Sequence, residues 1–65
     1  MDIITKDEIV VQESGKIKCR GVTFAFYEET QGRNPIEVRT IDDYMYCRDL
    51  DEMKLFLCSY LNGGK

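Results

Sequence analysis

The hydrophobic period of this chain changes once, and that change sets its fold class. From Glu8 to Arg48 the apolar residues alternate with polar ones or gather in short β-branched and aromatic runs. From Leu50 onward they return every three or four positions. Period two lays one side of an extended strand on a core, whereas three-and-four spacing builds one face of a helix. The order predicts an α+β chain: a three-stranded antiparallel meander followed by one C-terminal helix packed on one face.

The first strand is read over about 8–13, EIVVQE. Ser14-Gly15 is a turn dipeptide, and the alternation of Lys16-Ile17-Lys18-Cys19-Arg20 behind it predicts a tight hairpin. The second strand continues through VTFAFYEE, dense in β-formers, and so covers about 16–29. Thr30 to Pro35 holds Gly32, Asn34 and the sole proline, and is predicted to be a loop. A third strand runs over about 36–48, passing through Asp42-Asp43. Asp49 stands at capping-box spacing from Glu52. Leu50, Met53, Phe56, Leu57, Tyr60 and Leu61 then share one face, and Gly63 after Asn62 is a stop signal, so the helix is placed at about 50–62. Thr5 and Glu8 have the same capping spacing, but the β-branched run behind them reads as a strand, which marks that match as a false signal.

Register follows from grouping apolar side chains, since a slip of one residue turns every side chain to the other face. Pairing Thr30 with Ile36 places Phe24, Phe26, Ile36 and Val38 together, sets Tyr44 opposite Val22, and brings Cys19 opposite Cys47. Arg39 then neighbours Tyr27. The two-residue turn sets Val10 opposite Cys19. Near that turn, however, Val10, Ile17, Cys19, Met45 and Cys47 lie on the opposite parity, and the switch falls at Gly21 and Asp42-Asp43. Either a bulge at Gly21 restores one core face, or the apolar surface changes sides and the outer arm of the sheet is exposed. The second outcome defines a candidate protein interface of Phe24, Phe26, Tyr27, Ile36, Val38 and Tyr44, with Leu55 on the outward side of the helix.

Sixty-five residues make a single small domain, residues 1–65. The apolar area such a chain buries stabilises it by about as much as ordering it costs, which favours a homodimer. No disulfide framework or zinc site relieves the shortfall. Cys19, Cys47 and Cys58 are odd in number and lack metal-ligand spacing, and there is no histidine. The missing histidine also removes the usual general base, and the glycines fit no phosphate-cradling pattern. The acidic start MDIITKDEIVV does not resemble a leader, and no apolar run reaches membrane length. The chain is therefore expected to be cytoplasmic and non-enzymatic, with no cofactor, no metal and no membrane contact.

What remains is recognition. Tyr and Phe anchor interfaces. The sequence fits a small protein-binding module, of the inhibitor or adaptor type that phages and mobile elements encode, acting on a host protein. The alternative is a single-stranded nucleic-acid binder using an aromatic and arginine sheet face. A net charge of −3 disfavours that alternative.

Overall fold

A computed structural model describes residues 3–63. It holds one antiparallel sheet and one helix, as the change of period predicts, but the sheet has five strands rather than three. These are β1 (Ile9–Val11), β2 (Lys16–Cys19), β3 (Val22–Glu29), β4 (Ile36–Thr40) and β5 (Tyr44–Cys47), followed by α1 (Leu50–Leu61). Each strand pairs with the next, so the sheet order is the chain order.

The two extra strands arise at the two places where the apolar parity switches. Arg20 (φ +53°) and Gly21 (φ +83°) both adopt left-handed backbone. Two successive residues of that kind make the two-residue turn whose twist suits a hairpin. The predicted second strand therefore folds back on itself, and Cys19 pairs with Val22. The Arg20 guanidinium is held by Glu8, Nε to Oε1 at 2.7 Å. At the other switch, the Thr40 hydroxyl accepts hydrogen bonds from the amides of Asp42 (3.3 Å) and Asp43 (2.7 Å). The Thr40 amide donates to the Asp43 carbonyl at 2.8 Å. This side-chain-stapled turn splits the predicted third strand.

The bulge expected at Gly21 lies instead at Phe24. Ile17 pairs with Ala25 while Lys18 pairs with Thr23, so Phe24 is the extra residue. It brings Ile17 and Ala25 onto one face after the turn. Two registers also differ from expectation by one residue. The first loop is Glu13–Gly15, closed by Gln12 N to Lys16 O at 2.9 Å, and Val10 stands opposite Lys18. Beyond it, Glu29 rather than Thr30 faces Ile36, because Thr30 N bonds to Pro35 O at 2.7 Å and closes the ladder one step later. The slip turns Ile36 and Val38 inward, away from Phe26.

The core is Ile9, Ile17, Cys19, Ala25, Ile36, Val38 and Cys47 from the sheet, with Met53 and Leu57 from the helix. The helix meets β1 on one side and β4 and β5 on the other, so the sheet curls around it. Asp49 caps it, accepting from Glu52 N at 2.8 Å, while the Glu52 carboxylate reaches back to Arg48 N at 2.7 Å. The Thr5–Glu8 signal dismissed from sequence is real. The Glu8 carboxylate accepts from Thr5 N at 3.1 Å over a single 3-10 turn, Lys6–Glu8, before the β-branched run takes over. At the far end, Asn62 clamps Ile4 from both sides, accepting from its amide at 2.9 Å and donating to its carbonyl at 2.8 Å. Among the described residues, no helix is long and apolar enough to cross a membrane.

Candidate protein-binding face

Strand alternation leaves a second sheet face that the helix does not cover, and pairing arranges it in three cross-strand rows. Val10, Lys18 and Thr23 form the first. Lys16, Phe26, Arg39 and Tyr44 form the second, and Glu28, Glu37 and Tyr46 the third. Phe26 and Tyr44 are about half exposed, at 54% and 51%, and Tyr46 is similar. Directly opposed side chains on such a face lie within about 4.5–5.5 Å at Cβ, so each row is a continuous surface.

The face is polarised. Lys16, Lys18 and Arg39 have no ion pair among the described residues. At the other edge, the Tyr44 hydroxyl donates to the Glu37 carboxylate and contacts the Tyr46 hydroxyl at 2.9 Å. The two tyrosine rings meet edge to face, 5.5 Å apart at 80°. That geometry is a favourable aromatic arrangement, and it fixes both phenols. The Glu37 carboxylate, and after it Tyr46, pushes the Tyr44 phenol far above its usual range, because ionising Tyr44 removes the bond and sets like charges together.

Only part of the predicted interface lies here. Phe26 and Tyr44 are on the open face. Ile36 and Val38, expected beside them, are core residues at 4% and 0% exposure. Tyr27 packs on the core from the helix-facing side, and Phe24 is half-buried at the bulge. Leu55 is exposed, as read, but on the helix and apart from the sheet face. Arg39 neighbours Phe26, not Tyr27. Tyr46 is among the tyrosines of the alternative nucleic-acid reading, whereas the sequence does not single out Lys16 and Glu37. The outward lysines were visible in the alternation of Lys16-Ile17-Lys18-Cys19, but aligning them with Phe26 required the Phe24 bulge.

The thiols offer no nucleophile on this face. Burial raises the Cys47 thiol, with Glu52 and Asp49 adding to the shift. Burial likewise raises Cys58, with nearby Cys19 and Glu8 contributing. A raised thiol holds less thiolate at neutral pH and is a weaker nucleophile. The predicted opposition of Cys19 and Cys47 is also corrected: β3 and β4 lie between their strands, so the two are not cross-strand partners, and both thiols are free.

Comparison of the chain with models of protein families, with curated proteins and with solved structures gives no match to any of them.

Proposed function

We propose that the protein is a small non-enzymatic module that binds another protein through the open sheet face. The observation that supports this most is the half-exposed set Phe26, Tyr44 and Tyr46 on the sheet, the first two in one row with Lys16 and Arg39 and the third in the next row with Glu28 and Glu37. Aromatic anchors ringed by charge of both signs suit a protein surface, where complementary potentials set orientation and partner choice. A uniform polyanion would meet Glu28 and Glu37 across part of the same face. The test places a photo-crosslinking residue at position 26 or, as control, at position 55. One discrete protein captured from position 26 in the source cells, absent from position 55 and lost with Tyr44→Asp, is the expected result. Identical capture from both positions refutes the reading.

The second reading is single-stranded nucleic acid, and one observation favours it. In the Lys16–Phe26–Arg39–Tyr44 row, basic and aromatic residues alternate across four strands. Such a row provides both a phosphate track and stacking rings. Saturable, salt-sensitive binding of oligo-dT or oligo-U that falls with Phe26→Ala would select this reading over the first.

A further inference from the structure

The end of β3 is incompletely paired. Its ladder with β4 begins at Ala25, so Val22 and Thr23 are paired on the β2 side only, and the bulged Phe24 is paired on neither side. Where β4 would have continued, the chain turns away at Thr40, leaving a groove of about 770 Å³. Phe24, Phe26, Ile41 and Leu61 give it apolar walls, with Arg39 and Thr23 beside them. That size falls in the ~300–1,000 Å³ range of small-molecule sites, which are mostly apolar with a few placed polar groups.

The polar groups at the groove divide by whether they are already spent. The Thr40 hydroxyl holds the turn, and the Tyr60 hydroxyl donates to Asp42 at 3.1 Å. The Arg39 guanidinium and the Thr23 hydroxyl have no partner among the described residues. Both are donors, and Arg39 carries a permanent charge in a fork that fits a carboxylate. Asp42 and Asp43 border an adjoining shallow depression that shares Arg39, Thr40 and Ile41 with the groove, and the Asp42 carboxylate is occupied by Tyr60. Ile41 is 89% exposed, an unusual position for an isoleucine in a turn.

We infer that this groove binds a small apolar carboxylate, its hydrocarbon part against Phe24, Phe26, Ile41 and Leu61 and its carboxyl group on Arg39. This inference does not rest on the protein-binding reading, but the groove shares Phe26 and Arg39 with that face. The test uses decanoate, 1-decanol and decyltrimethylammonium below their micelle concentrations, followed by amide chemical shifts of the 15N-labelled full chain. Decanoate is expected to give saturable shifts centred on Thr23, Phe24, Ile41 and Leu61, and to bind about fivefold more tightly than decanol, the worth of one exposed charge pair. Arg39→Gln, an exposed position with no bond to lose, removes that preference. Ile41→Ser weakens decanoate and decanol alike. Equal affinity for decanoate and decanol, tighter binding of the ammonium compound, full retention of the preference in Arg39→Gln, or an absence of saturable shifts in the groove would each overturn the inference.

Discussion

Replacing Gly15 with alanine isolates the cost of the first turn, and Gly21→Ala supplies the control. Both glycines have positive φ, +99° and +83°. A left-handed backbone costs an L-residue about 1–2 kcal/mol. At Gly21 an added Cβ meets nothing within 4 Å, so the backbone term is the whole cost. At Gly15 the added Cβ would lie 2.9 Å from the Tyr27 carbonyl oxygen. That atom is backbone, so β3 itself has to move. The strand is tied there by Tyr27 N donating to Gly15 O at 2.8 Å, a bond worth about 0.5–1.5 kcal/mol. Gly15→Ala should therefore cost about 2–3 kcal/mol and Gly21→Ala about 1 kcal/mol. Urea unfolding reads the difference directly. With a slope of about 1 kcal/mol/M for so small a chain, the midpoint falls by about 1 M for Gly21→Ala and about 2–3 M for Gly15→Ala. Trimethylamine oxide, added equally to all samples, keeps the weaker variant on scale. Equal midpoint shifts for the two variants would refute the argument, because the close approach would then carry no cost.

Other expectations follow from the same contacts. Asp49→Ala removes the helix cap and should cost about 0.5–2 kcal/mol by thermal or urea unfolding, with Asp49→Ser recovering most of it. Val38→Ala, at a fully buried site, should destabilise by more than 1 kcal/mol, whereas Leu55→Ala on the helix surface should change stability by less than about 0.5 kcal/mol. Arg20, and then the Thr5 amide, hold the Glu8 carboxyl below its usual range. The folded state therefore binds that proton less readily than the unfolded one, and the stability is present above the ordinary carboxylate range and lost as pH falls through the folded value. Glu8→Gln should flatten the acid limb of a stability–pH curve and leave its neutral limb parallel to that of the parent. Thiol titration at neutral pH should find Cys47 unreactive until the chain unfolds and Cys58 reacting before it. Light scattering should give twice the 7.6 kDa chain mass if the expected homodimer forms.

The element types were legible in the sequence, and the reason is physical. Period two and period 3.6 leave different residues on a face, and no tertiary context was needed to tell Lys16–Glu29 from Leu50–Leu61. The number of strands was not legible, because a turn and a bulge leave the same trace in a parity pattern. Arg20-Gly21 lacks the Asn-Gly or Asp-Gly signature of its turn type. Its left-handed arginine is held by a contact with Glu8, twelve positions earlier in the chain. At Thr40 the turn depends on a hydroxyl reaching two amides ahead. The open sheet face was harder still. Phe26 and Tyr44 stood out as aromatic residues, but placing them with Arg39 and Lys16 rests on two registers, and a shift of one residue in either hides the row. The same shift accounts for Ile36 and Val38, surface residues in only one of the two sequence readings, which the structure buries.

The clamp between Asn62 and Ile4 joins residues 58 positions apart, whereas every sheet pairing links strands that follow one another in the chain. Contacts between sequence neighbours form quickly, and those that close long loops form late. The meander is therefore expected to assemble first as a hairpin series with its inner side wet, and the helix to dock on it as the closing event. The reverse path is the easiest partial opening: release of Ile4 from Asn62 and of Lys6 from Asp51 frees the helix as a unit while the ladders persist. Hydrogen exchange should then divide the amides into two protection classes, with the helix exchanging at a lower free energy than the centre of β3.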